Sequence, residues 1–154
     1  MRIPTALKPY KMQVTSSKKP DAARMAPNET SAEPLTGMVM GQSASALEER
    51  AYRSIVKIPG VLAIEFQPSF LAGRGMPGEY RLDFQVTMPG YIQPIQIDGE
   101  WIHKSAEARE EDEVKDIQFD NEMMGTGALP VRRVNELEIP DQARSDQLLR
   151  EILR

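Results

Sequence analysis

Tyr80-Arg81-Leu82-Asp83-Phe84-Gln85-Val86, followed by Met88-Pro89-Gly90 and then Ile95-Gln96-Ile97-Asp98-Gly99-Glu100-Trp101-Ile102-His103, is the stretch whose reading decides the fold. Tyr80, Leu82, Phe84 and Val86 alternate with Arg81, Asp83 and Gln85, and Ile95 and Ile97 alternate with Gln96 and Asp98. A period of two is the mark of a half-buried strand. The Pro-Gly break predicts a turn between two such strands. If they pair, Asp83, Gln96 and Asp98 share a polar face beside a core. Buried oxygen-bearing side chains are costly without a cation, a proton or water to serve them. This cluster is therefore the first place to look for a functional site.

Working outward, Ser45-Ala46-Leu47-Glu48 has the form of a capping box and predicts a helix start. Leu47, Ala51, Ile55 and Ile58 carry the helical stripe, widened by Tyr52 and Val56, up to Pro59-Gly60. Residues 61–67 alternate again through Leu62, Ile64 and Phe66, predicting a first strand that extends to about Phe70. Gly73-Arg74-Gly75-Met76-Pro77-Gly78 reads as a long hairpin turn. Its glycines precede a strand, not a helix, so they do not fit a nucleotide-binding loop.

After the third strand, Ser105 is the expected N-cap of a second helix. Its charged first half, residues 107–116, reads as a solvated face. Val114, Ile117, Asn121 and Met124 form the expected helical stripe, with Met123 alongside. Residues 129–134 predict a fourth strand. Pro94 is expected early in the third strand, where a missing N–H is tolerated at a strand start or an edge. Pro140-Asp141 introduces a last helix carrying Leu148, Leu149, Ile152 and Leu153.

The 154 residues suffice for one domain with a sizeable core. Apolar content of 40% is low, so part of the chain is expected to lie outside that core. Residues 1–42, punctuated by Pro4, Pro9, Pro20, Pro27 and Pro34, read as a flexible basic arm, and residues 43–154 as the domain. Residues 1–34 carry a net charge of +3, which leaves −7 on the remainder of a chain with net charge −4. An acidic body argues against broad binding of nucleic acid through its bulk surface. Cysteine is absent, which excludes disulfides and thiolate metal sites. With no signal-like or membrane-spanning segment, a cytoplasmic location is expected.

The order α-β-β-β-α-β, plus a C-terminal helix, resembles the core of the PD-(D/E)XK nuclease superfamily, a restriction-endonuclease-like α/β fold. The ordered set Arg81-x-Asp83-Phe84, Ile95-Gln96-Ile97-Asp98-Gly99 with His103, the charged helix and Val131-Arg132-Arg133-Val134 resembles the very-short-patch-repair endonuclease branch. The resemblance covers about residues 43–154. It implies a metal-dependent endonuclease that hydrolyses phosphodiester bonds of DNA with Mg²⁺ or Mn²⁺. Asp83, Asp98 and Glu48 would then be the metal ligands, with Glu48 favoured over Glu49 by its spacing to Ala51, Tyr52 and Ile55. Gln96 would occupy the second carboxylate position, and His103 would be an auxiliary group near the phosphate. Gln67, on the polar face of the first strand, would flank the site on the substrate side, and Arg132 would meet the substrate backbone or pair with an acidic helix residue. Apart from the resemblance, Arg74 at the tip of the glycine-rich turn is placed to touch a substrate phosphate.

Gln96 departs from the pattern, because an amide carries no charge and cannot act as a base. The second expectation is therefore a catalytically inactive nuclease-fold protein, a DNA-binding or assembly component of a larger complex of phage type. Assembly through the arm, as a homodimer or larger, is expected under either reading.

Overall fold

The computed structural model describes residues 34–71 and 79–154. The expected arm, apart from its last residues, and the turn carrying Arg74 lie outside them. The chain is a mixed α/β protein. In order, it has β1 (Met38–Val39), β2 (Gln42–Ser43), α1 (Ala46–Ile55), β3 (Ala63–Phe66), β4 (Ser69–Leu71), β5 (Glu79–Arg81), β6 (Phe84–Met88) and β7 (Tyr91–Asp98). A 3₁₀ turn (Trp101–His103), α2 (Ala106–Glu122), β8 (Arg132–Asn135) and α3 (Gln142–Ile152) complete it.

The main sheet runs β3-β6-β7-β8. The first three strands are antiparallel neighbours, while β8 returns parallel to β7 through α2. A parallel return needs a crossover, and the helix supplies it. The turn between β6 and β7 is Pro89-Gly90, with Gly90 at φ 87°, a conformation that glycine adopts without strain.

Strand alternation divides the sheet into two faces. Ile64, Phe66, Phe84, Val86, Ile95 and Val134 form one, and they pack with Ala51, Tyr52 and Ile55 of α1 and Leu149 of α3. The Ser45 capping box forms as expected: Ser45 Oγ accepts from Glu48 N–H (3.1 Å) and Ser45 N–H donates to Glu48 Oε1 (2.7 Å). Residues 34–43 lie against this layer. Val39 is buried in it, and the Thr36 and Gly37 N–H groups donate to Glu49 at 2.7–2.9 Å. Burial raises the Glu49 pKa, but these bonds and Arg53 outweigh it and hold the carboxyl below its usual range. Glu49 is thereby a structural anchor.

Three expectations need correction. The strand expected over residues 80–86 is two strands, β5 and β6, interrupted at Leu82 and Asp83. The strand expected over residues 61–70 is likewise split at Gln67, whose φ is 55°. Together β3–β4 and β5–β6 form one long ribbon bent at a single level. Two bonds bridge the bend: Gln67 N–H donates to Asp83 O (2.9 Å) and Leu82 N–H to Pro68 O (3.1 Å). Its far half leaves the main sheet so that Phe70, Tyr80 and Leu82 can reach α2.

The second correction concerns α2. Val114, Ile117 and Met124 are exposed at 54%, 52% and 77%, and Phe119 is the buried residue. Phe119 stacks on Tyr80 (centroids 4.7 Å apart) and meets Phe70 edge-on (5.0 Å). The charge run is not all solvated either, because Asp112 and Asp116 turn inward to basic groups.

The third correction concerns β7, which begins at Tyr91, so that Pro94 lies mid-strand. Its missing N–H is tolerated there because β8 joins β7 only from Ile95 onward. The Gln93 side chain spans the gap, its Nε2 donating to Pro94 O (2.8 Å) and Pro130 O (3.0 Å).

Candidate functional site

The interruption at Asp83 creates the site. Phe84↔Ile95 is the last ladder pair between β6 and β7. Beyond it, the Asp83 side chain takes the place of a strand carbonyl: Oδ2 accepts from the Ile97 N–H at 2.6 Å. The Asp83 N–H donates to Gln96 Oε1 (2.9 Å), and Gln96 Nε2 donates to Arg81 O (3.1 Å). Both ends of the Gln96 amide thus clip the bent backbone, and Gln96 is buried.

A carboxylate could not do both jobs, which is a physical reason for an amide at this position. We expect Gln96→Glu to lose the bond to Arg81 O and to set a carboxylate against that carbonyl. The cost should be about 1–3 kcal/mol, read as a lower urea midpoint at pH 8.

Glu48, in the first turn of α1, approaches the Asp83 carboxyl within hydrogen-bonding reach. Burial raises the Asp83 pKa, the Ile97 N–H lowers it, Glu48 raises it and Arg133 lowers it; the outcome is a value pushed up to about 7. The Asp83 carboxyl, beside Glu48, therefore keeps its proton to near neutral pH.

Asp98 faces elsewhere. Its Oδ2 lies 2.9 Å from Lys104 Nζ and 3.9 Å from Arg133 Nη1. Lys104 also meets Asp112 at 2.5 Å. The Lys104 ammonium loses stability by burial, but Asp112 and Asp98 outweigh this and raise its pKa above the ordinary lysine value. Arg133 pairs with Asp116 through Nε (2.6 Å) and Nη2 (3.0 Å), and Tyr80 OH donates to the same carboxylate at 2.6 Å. Arg133 is opposite Gln96 in the β7–β8 register, which puts it on the polar face.

The structure thus brings Asp83, Glu48 and Gln96 together, with Asp98 one step away across Arg133. His103 is exposed in the 3₁₀ turn. Gln67 flanks the site through its backbone bond to Asp83. Arg132 lies on the opposite face and pairs with Glu138 (3.0 Å), a residue of the turn after β8 rather than the acidic helix residue expected for it. Trp101 is half-buried beneath Arg109, whose guanidinium carbon is 4.0 Å from the ring centroid.

Sequence reasoning missed Arg133 and Lys104. The signal for Arg133 was available: it follows Arg132 in an alternating strand, so the two arginines had to point to opposite faces.

No group of three or more His, Cys, Asp or Glu among the described residues is arranged to hold a metal ion. The Asp83–Glu48 pair is a smaller donor set. One oxygen of each carboxylate is held by a backbone N–H, and the second of each remains for a hard cation, which takes oxygen ligands and retains waters. Such a half-buried pair of carboxyls is chemically suited to exchange the Asp83 proton for a divalent ion. No helix among the described residues is long and apolar enough to cross a membrane. Comparison with protein-family models, with curated proteins and with solved structures finds no match for this chain.

Proposed function

We propose that this protein is a restriction-endonuclease-like domain that hydrolyses phosphodiester bonds of DNA with Mg²⁺ or Mn²⁺. The observation that carries the reading is the meeting of Glu48, from the first helix, with Asp83, at the bend of the second sheet strand. The resemblance implied that pairing from residues far apart in sequence. The element order supports it as well: a helix, three antiparallel strands, and a helix leading to a fourth strand parallel to the third.

Under this reading Asp83 and Glu48 hold the ion. The bound ion would polarise phosphoryl oxygens and bring a water nearer to hydroxide. Ile97 N–H fixes the orientation of Asp83, and the Gln96 amide fixes its backbone. Arg133 adds positive charge beside the pair, and Lys104 neutralises Asp98.

Plasmid cleavage with Mg²⁺ or Mn²⁺ tests the proposal. The native chain should nick or cut, and Asp83→Asn and Glu48→Gln should each reduce the rate by about a hundredfold or more, the scale on which loss of one electrostatic group acts. A native chain with no activity in either metal sinks the proposal.

A second reading is favoured by a specific observation. Gln96 is committed to backbone and Asp98 to Lys104, which leaves only two carboxylates for the ion. The protein would then be an inactive nuclease-fold component that binds DNA or takes part in a larger, phage-type assembly. DNA binding without cleavage, with activity gained only in Gln96→Glu, would select it.

A further inference from the structure

α2 has two faces that both carry apolar residues. The inward face presents Phe119, with Asp112 and Asp116 bound to basic groups. At 3.6 residues per turn, Val114, Ile117 and Asn121 fall on the opposite side, and Met124 follows in the turn just beyond the helix. All of them are exposed, at 54% for Val114, 52% for Ile117 and 77% for Met124. Residues 106–122 contain eight Asp and Glu against Arg109 and Lys115, and Glu110, Glu113 and Glu122 are exposed beside the stripe. A helix that is apolar on its solvent side and acidic around it fits a partner that is basic with apolar residues interspersed.

The same chain contains such a segment. Residues 1–19 include Arg2, Lys8, Lys11, Lys18 and Lys19 and no acidic residue, with Ile3, Leu7, Tyr10, Met12 and Val14 among them. We propose that residues 1–19 dock intramolecularly on the exposed apolar patch made by Val114 and Ile117 of α2 and Met124 just beyond it, guided by charge and held by apolar contact. Reach is not a constraint. Residues 20–33 span up to about 45–50 Å when extended, against a radius of gyration of about 14 Å for a domain of this size. The inference is independent of the nuclease reading, since the stripe lies on the side of α2 away from Asp116 and Arg133.

The absence of cysteine allows a clean test on the full chain. Ser17→Cys carries a nitroxide, and methyl NMR reads its proximity at low protein concentration. The Val114 and Ile117 methyl signals should lose most of their intensity, while those of Leu149 and Leu153, in the layer on the other side of the sheet, stay sharp. Lys8→Glu with Lys11→Glu should restore the lost signals.

Three outcomes overturn the proposal. One is sharp stripe signals in the labelled chain, or equal broadening everywhere. A second is unchanged broadening in the charge-reversed variant. The third is broadening of the same size when nitroxide and isotope label reside on different chains, which would make a second copy the occupant.

Discussion

Phe119→Ala should lower stability by about 3–5 kcal/mol, the range for removing a fully buried phenyl ring. In thermal unfolding this corresponds to a Tm lower by roughly 10–20 °C for a domain of about 110 residues. Phe119 is completely buried and is the only buried residue of α2. It joins Tyr80, Leu82 and Phe70, which arrive on the half of the ribbon that leaves the main sheet. The other ties between α2 and the sheet are polar: Asp116 to Arg133 and Tyr80, and Asp120 Oδ1 accepting the Val131 N–H at 3.0 Å. Losing the ring therefore removes the main apolar contact of that layer. Val114→Ser and Ile117→Ser, two positions that look more core-like in the sequence, should change stability by no more than about 0.5 kcal/mol, as exposed positions do. Equal losses at all three sites would contradict the assigned orientation of the helix.

The second large effect depends on pH. The Asp83 carboxyl has a pKa of about 7 when folded, raised from 3.8 by burial first and by Glu48 in addition. The folded state thus binds a proton that the unfolded chain releases at lower pH. Such a group is neutral in both states below about pH 4, and it increasingly penalises the folded state as pH rises from there to about 7. Asp83→Asn removes the penalty while keeping an acceptor for the Ile97 N–H. The variant should match the native chain near pH 4 and exceed it by a few kcal/mol at pH 8, an order-of-magnitude figure from the size of the shift. Urea midpoints at the two pH values read the difference. A stability gap that is the same at both would show that Asp83 holds no extra proton. Mg²⁺ should narrow the gap at pH 8 under the proposed function, because it would stabilise the native chain and not the amide variant.

The order of elements was legible because it depends on local signals. The Ser45 box, the Ser105 cap, Pro140-Asp141 ahead of the last helix, the Pro89-Gly90 turn and the alternation of Phe84, Val86 and Ile95 are short-range patterns. The Asp83–Glu48 pair was legible only through the resemblance, since nothing local links residues 35 positions apart. The bend at Gln67 and Asp83 was not legible. Alternation runs unbroken through Tyr80, Leu82, Phe84 and Val86, and it marks which side a residue takes but not which layer it joins: Leu82 belongs with Phe119 and Phe84 with Ile55. The orientation of α2 was misread for a related reason. Its inward face is largely ionic, so counting apolar residues at helical spacing selected the solvent side. Asp112 and Asp116 could be recognised as inward only once Arg133 and Lys104 had been placed opposite them.

The clipping of Asp83 from three sides has a thermodynamic consequence. Its carbonyl is held by Gln67, its N–H by Gln96 and one carboxylate oxygen by Ile97, so its backbone and side-chain torsions are already fixed when the chain folds. A ligand that meets the remaining oxygen does not have to order the residue, and the conformational entropy that usually opposes binding is lost beforehand. Under the proposed function, selection among cations at this position would then be governed by ionic radius and the cost of shedding water rather than by how readily the protein can rearrange around each of them.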